Sequence, residues 1–549
     1  MLFRSTGGGA IGLTKLGTGT LTLNGTNTYT GTTTVSAGTL ATSTADRISD
    51  SSAVTVASGA TFQLGGSETV GSIAGAGNYS IGAFTLSAGG DNTSTTHSGS
   101  ITGAGGALTK LGSGTLTLNG TNTYNGTTTS SGGTLVLSSG GAGTPVLSAS
   151  SAIVNNGTLA FNAAANLDYA NVISGTGSVT HNQSTAGRRV TLSGNNSYSG
   201  GTFVSSDNML AVNADNNLGA TSGALTLGNG TTGGVLRIDQ TGFTSANRSI
   251  VLAGTASGST ANKLAINIAN GTASFGGNIS GSGNLDLTGS AYSGAPSGTG
   301  TVVFTLSGNN TYTGATSISN NVTVRAGSTT AFGNNSAVTL QGTGSTLDLN
   351  NNNLTIGSLT SSVSSNVTLG NRTLTTGADN TSTSFAGVIS GAGGSLTKAG
   401  AGTLTLSGNN TYTGATTINA GTLSISSITN GGVAGALGNS TNAAGNLVLG
   451  GGTLEYTGST GSTNRDFTLS AGTTSTISVT NSAATLTISG NAANTNGSLT
   501  KSGSGTLTLS GNNTYTGATT ISAGTLQFAR TGSLYNRSEE HTSELQSRQ

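Results

Sequence analysis

The chain has 549 residues, no cysteine, a net charge of +1, 6% charged residues and 4% aromatic ones. That balance excludes the basic footprint of a nucleic-acid binder, a charged membrane-surface helix and any disulfide framework. With 33% hydrophobic residues set in alternation and only 2 Pro beside 93 Gly, the pattern reads as ordered structure whose solubility comes from Thr, Ser and Asn.

The opening Met1-Leu2-Phe3-Arg4 carries no apolar core of a signal peptide, and a repeat begins almost at once, so the expectation is that the natural chain starts earlier. Gly12–Leu40 holds the first copy of a motif that returns near 107–137, 190–204, 302–324, 395–425 and 498–528. The copy at Ser395–Ile425 reads SLTKAGAGTLTLSGNNTYTGATTINAGTLSI. Thr403-Leu404-Thr405-Leu406 alternates with period two, as a strand with one buried face does. Ser407-Gly408-Asn409-Asn410 reads as a turn of residues that tolerate positive φ. Thr416–Ile418 and Thr422–Ile425 resume the extended pattern, with Gly421 as punctuation. Leu404 and Leu423 stand 19 positions apart, the length of one coil in which a strand returns onto its predecessor.

Between copies the text stays alike in kind. Ala53–Val56, Gly223–Leu227 and Thr485–Ile488 read as further short strands. The segment Val70-Gly71-Ser72-Ile73, with Asp91-Asn92-Thr93-Ser94-Thr95, is echoed by Ile356-Gly357-Ser358-Leu359 with Asp379-Asn380-Thr381-Ser382-Thr383. No composition shift marks a second domain. The expected fold is all-β: a right-handed parallel β-helix, or β-solenoid, of roughly 20–25 short coils, continuous over residues 1–536. Residues 537–549 break the pattern, holding three of the chain's five Glu. They resemble a translated sequencing-library adapter and are set aside as a disordered artefact.

Candidate chemistry is sparse. Asp46 with Asp50, and Asp207 with Asp215, are the carboxylate pairs to test against the two-carboxyl requirement of glycoside hydrolysis. They lack a sugar-stacking aromatic or a basic partner and read as turn residues. His97, His181 and His541 form no metal spacing and no triad, and Arg188-Arg189 reads as surface. Asp does not recur at a fixed repeat position, which argues against a calcium-stacked solenoid. Lys15, Lys110, Lys398 and Lys501 occupy one motif position and read as strand-end charges that discourage edge pairing. Tyr29, Tyr124, Tyr198, Tyr312, Tyr412 and Tyr515 are spaced too widely for a binding stripe and read as packing over the Asn-Asn turn. Thr-x-Thr pairs such as Thr20-Leu21-Thr22 would suit an ice-binding face only if every coil carried one. No catalytic, cofactor-binding or metal residue is assigned.

The motif G-x-L-T-K-x-G-x-G-T-L-T-L-[SN]-G-x-N-T-Y-x-G-x-T-T resembles the passenger-associated transport repeat, also called the autotransporter-associated β-strand repeat. The resemblance implies a β-helical passenger of a type V (autotransporter) protein, on the surface of a Gram-negative bacterium or released from it after crossing periplasm and outer membrane. It implies a structural, secretion-assisting role without catalysis, and possible use as an adhesin. A separate C-terminal translocator barrel would be its partner, with a host or neighbouring cell, or a second copy, as the adhesive target. The alternatives from other classes are a carbohydrate-active enzyme on the same scaffold and an inert stalk presenting another module.

Overall fold

A computed structural model describes residues 2–4 (backbone only), 10–139, 146–182, 187–257, 261–289, 300–361 and 364–529. The tail at 537–549, with His541, lies outside them. The contacts divide the chain into two compact units, Met1–Ile268 with Ser290–Ser297 and Ala269–Gly289 with Gly298–Gln549.

Each unit is a parallel β-solenoid, and together they hold about 22 turns. In unit 1 the first strand, Leu2–Arg4, runs antiparallel to Gly12–Lys15. Parallel ladders follow. The longest passes through Thr33–Val35, Ala53–Val56, Thr95–His97, Thr115–Leu118 and Ser178–His181. A second ladder holds Thr20–Leu23 and Thr39–Thr42, and a third holds Ala107–Lys110 and Thr128–Ser130. In unit 2 one ladder runs through Thr383–Phe385, Thr403–Leu406, Thr422–Ile425, Thr453–Tyr456 and Ser498–Ser502. Ser395–Lys398 and Thr416–Ile418 lie on another.

The strands form where period-two alternation predicts them. Ala53–Val56, Thr403–Leu406, Thr416–Ile418, Thr422–Ile425 and Thr485–Ile488 are strands with those bounds, and Gly223–Leu227 shortens to Leu225–Leu227. In Thr403–Leu406 the leucines are buried and the threonines half-buried. Leu404 pairs with Leu423, Leu21 with Leu40, Leu116 with Leu135 and Leu507 with Leu526. The expected 19-residue coil is therefore the register of all four strong copies. A buried leucine column is the main attraction between coils, each leucine contributing about 1.5–3 kcal/mol on burial. Not every coil is this short. Thr416 next pairs with Leu447, because the chain makes an excursion through 426–446 before it resumes the ladder.

Successive copies do not begin on the same face. In unit 1, the Leu-Thr-Lys strand Gly12–Lys15 and the later Thr-Leu-Thr-Leu strand Thr115–Leu118 share one ladder. In unit 2, Thr403–Leu406 of one copy shares a ladder with the Leu-Thr-Lys strand Ser498–Ser502 of the next. Within each unit, then, the motif shifts by one side of the coil between those copies.

Candidate functional site

Among the described residues, the recurring lysines, asparagines and tyrosines converge in the repeat itself. Lys15, Lys110, Lys398 and Lys501 are all buried, with at most 5% of their surface exposed. This corrects the expectation of exposed strand-end charges. The alternation that points Leu396 inward also points Lys398 inward, so the side chain must find partners inside. It curls onto the turn that follows. The Lys501 ammonium donates to the carbonyls of Ser502 (2.7 Å), Gly503 (2.8 Å) and, from the next coil, Ala523 (3.1 Å). Lys15 does the same with Leu16 (3.0 Å), Gly17 (2.7 Å) and Ala37 (3.1 Å). Lys398 bonds Ala399, Gly400 (2.9 Å) and Ala420 (3.3 Å). Lys110 bonds Leu111 (2.7 Å) and Gly112 (2.8 Å). Carbonyl dipoles replace the water that the charge gives up, as a buried ammonium requires. Burial lowers the Lys110 and Lys501 pKa values, and that of Lys398 with Asp379 opposing.

Two glycines make the clasp possible. Gly400 turns the chain in the left-handed region at φ 63°. Gly421, at φ 57°, lies so close beneath that a Cβ would fall 2.4 Å from the Gly400 carbonyl oxygen and 2.5 Å from that of Gly402.

In four copies the asparagine two residues before the motif tyrosine links three coils. Asn410 accepts the Ile389 N–H of the preceding coil (2.9 Å) and donates to the Ala436 carbonyl of the following one (2.9 Å). Asn122, Asn196 and Asn310 repeat the arrangement, with Ile101 and Val146, Ile173 and Asn217, and Ile279 and Ala331. None of these asparagines has positive φ. The position selects a side-chain amide, not the turn conformation expected from the Asn-Asn pair.

The motif tyrosines do pack beside this segment, five of the six buried. Each hydroxyl bonds the threonine four residues on, such as Tyr124 with Thr128 (2.7 Å) and Tyr312 with Thr316 (2.7 Å). In three copies the chain of hydroxyls continues to a serine of the next coil: Ser52, Ser151 or Ser336. Burial pushes the Tyr198, Tyr312 and Tyr412 hydroxyls up to about 12.

In two of the copies without that serine a buried arginine braces the adjoining segment, which the sequence did not announce. Arg248 is buried beside the Tyr198 copy and bonds Asp215 (2.9 Å) and the carbonyls of Leu218, Gly219, Ala220 and Gly223. Arg465 serves the Tyr412 copy, bonding the carbonyls of Thr429 (3.2 Å) and Gly438 (2.8 Å) and the Ser440 hydroxyl (2.8 Å). The available signal was the recurrence of Asn-Arg, as Asn247-Arg248 and Asn464-Arg465, after a Leu-Gly pair at Leu218-Gly219 and Leu437-Gly438.

Of the tested carboxylates Asp215 is spent on structure, while Asp207 sits at φ 57° with its pKa raised by burial. Asp215 pairs with Arg248. Asp46 and Asp50 lie near Glu68, whose carboxylate accepts the Arg47 and Ile48 N–H groups (3.1 and 2.8 Å) and whose pKa burial raises. Arg189 pairs with Asp168 at 3.0 Å. Among the described residues no group of three His, Cys, Asp or Glu is arranged to hold a metal. The two Asp-Asn-Thr echoes share one geometry. Asp91 and Asp379 each accept the N–H two residues on at 2.9 Å, and Asn92 and Asn380 reach the next coil's Ser113 and Ala401 N–H at 2.8 Å.

Threonine forms longer columns than the motif copies alone suggest. Thr403, Thr422, Thr453, Thr476, Thr500 and Thr520 stack in register on one outward face. The companion column is Thr405, Ser424, Glu455, Ser478 and Ser502, in which Ser424 and Ser478 are buried. A Thr-x-Thr pair is thus not presented in every coil.

Six stretches, 13–41, 108–137, 189–206, 297–320, 396–425 and 499–528, match the family described as passenger-associated-transport-repeat. The chain is also similar to the adhesin BmaC autotransporter of Brucella suis biovar 1 (strain 1330), 35% identical over 298 residues. That alignment takes in 51% of this chain and spans 8% of the relative's length. No solved structure matches.

Proposed function

We propose that this β-solenoid, which carries passenger-associated transport repeats, is a passenger β-helix of a type V, autotransporter protein and works without catalysis, as a stack whose repeats lock each newly placed coil to its neighbours. One observation carries the reading: in the repeat copies, Lys, Asn and Tyr spend their polar atoms on backbone and hydroxyl partners in their own and adjacent coils. The residues that recur most faithfully are those that join coil to coil.

The setting of that role follows the same kinship. The relative's name marks it as an adhesin, which supports surface display or release from a Gram-negative cell, with a host cell, a neighbouring cell or a second copy as the target. A separate translocator barrel supplies the exit route in this reading. Outside the cell no nucleotide is needed, because every added coil buries apolar area worth about 25 cal/mol per Å².

The test is to replace Leu404, Leu406 and Ile418 with Asp in the full-length gene and measure protease-accessible protein at the cell surface. Stalled export with an internal passenger fragment is expected. Normal surface yield refutes the coil-locking role. Adhesion is read separately, by coating beads with the purified chain and counting cells bound; counts no higher than on uncoated beads refute the adhesin assignment.

A further inference from the structure

One inward column of unit 1 contains two imidazoles. Gly75, His97, Leu118, Leu137 and Phe161 follow one another in register, and His181 lies on the next strand, before Val204. Both histidines are buried, with 0% and 1% of their surface exposed. Among the described residues of unit 2 there is no histidine.

The two rings are held differently. His97 stands edge-on to Tyr79, with ring centroids 4.9 Å apart and planes at 89°; neither of its nitrogens makes a well-formed hydrogen bond, and the acceptors beside it are the backbone oxygens of Gly75 and Ser100. The Tyr79 hydroxyl is already committed to the Val54 carbonyl at 2.9 Å. His181 has Nδ1 at 3.4 Å from the Phe161 carbonyl oxygen and Nε2 at 3.0 Å from that of Arg188.

The strands on either side of His97, Ser72–Gly75 and Thr115–Leu118, carry no charged residue. Tyr79 is the titratable group that faces it. Lys110 is bound to its turn carbonyls, and Asp91 accepts from Thr93. Around His181 the charged neighbours are Arg188 and Arg189, the latter paired with Asp168, while Tyr169 packs on Phe161. No charge acts on either ring, and burial lowers both pKa values.

We propose that His97 is an acid-sensitive joint: its protonation opens the coils packed on it, so that unit 1 loosens in mild acid while the coils of unit 2 hold. A second proton on His97 would place a charge in an apolar column beside only the backbone oxygens of Gly75 and Ser100, which already accept the Ser98 and Tyr79 N–H groups. His181 can give a second N–H to a waiting carbonyl, so its share is the smaller one. The sign follows from linkage. The folded form holds His97 neutral, whereas the unfolded chain takes up a proton near pH 6.5. Stability is full above that value and falls as pH drops below it. From pH 7.5 to 5.5 one such histidine, held neutral throughout in the folded form, favours the open form by up to about tenfold. Glu68, whose pKa is raised, acts in the opposite direction and at lower pH.

Hydrogen exchange followed by mass spectrometry on the full chain, at pH 7.5 and 5.5 and corrected for intrinsic rates, reads the effect coil by coil. The wild type is expected to lose up to about tenfold protection over 72–118, with 395–425 unchanged. Replacement by the residue of the neighbouring coils, His97→Leu, is expected to remove the pH dependence, and His181→Leu to retain most of it. Equal wild-type protection at both pH values, or an undiminished pH effect in His97→Leu, overturns the proposal. Should His97→Leu not fold, the ring titration of His97 in the wild type decides: a midpoint below 6.5 supports the proposal, and one at or above 6.5 overturns it.

Discussion

Replacing Lys398 by Met removes the ammonium and keeps a stem of nearly the same length in the same inward position. Three carbonyls, those of Ala399, Gly400 and Ala420, then lose their donor. A hydrogen bond to a charged group is worth about 1.5–3 kcal/mol net, and each buried acceptor left unpaired costs about 1–3 kcal/mol. Against this stands the gain from no longer desolvating a charge. The balance is a loss of about 2–4 kcal/mol, which is roughly 30- to 1,000-fold in local opening. In a stack each coil contacts chiefly its neighbours, so the loss stays near the altered coil. Hydrogen exchange should show that loss over 395–425 and leave 272–288 unchanged. Protection within a factor of two of the wild type at Ala399, Gly400 and Ala420 would refute the clasp as a source of stability. Lys398→Arg should not rescue it, since a Cβ on Gly377 would already lie 3.0 Å from the Lys398 ammonium nitrogen and the guanidinium is bulkier.

Asn410→Leu should cost about 2–3 kcal/mol by leaving the Ile389 N–H and Ala436 carbonyl unpaired; exchange at Ile389 and around 436 must rise together, and a rise on one side alone contradicts a three-coil bridge. Arg465→Met should free the excursion that Arg465 ties down at Thr429, Gly438 and Ser440. Limited proteolysis should then cut near 430–434, where the wild type resists, and an unchanged digest would rule the brace out. Alkaline titration should show Tyr198, Tyr312 and Tyr412 ionising in the folded chain near 12. Their raised pKa values mean that the stability they lend is complete below pH 10 and fades as pH climbs toward 12. Tyrosinate absorbance that develops fully near pH 10 with the β-structure intact would contradict their burial.

The strands were legible in the sequence because a period of two and a coil of 19 residues are local properties. Thr403–Leu406 and its partner Thr422–Ile425 can be read, with their register, from spacing alone. The buried lysines were misread because a charged residue at a strand end is ordinarily solvated. Only the presence of the turn carbonyls of Gly400 and Ala420 within reach reverses that expectation. The asparagines were misread for a related reason: Asn-Asn is a turn signal by propensity, while the partners of Asn410 lie one coil away on each side.

Sequence by itself determined the strand positions, the coil length and the apolar column, since alternation and repeat length express them directly. The tertiary structure alone decided what the recurring polar residues are for. The copies lie 95 positions apart in unit 1 and 103 in unit 2 when counted from Tyr29 to Tyr124 and from Tyr412 to Tyr515. The coils between them vary in length because excursions such as that after Ile425 are inserted. Successive copies within a unit therefore arrive on different sides of the coil, while the partners that the lysine and asparagine find beyond their own turn lie in the adjacent coils. Which atom of the adjacent coil stands opposite depends on that coil's length and turns, which the alternation within a strand does not record.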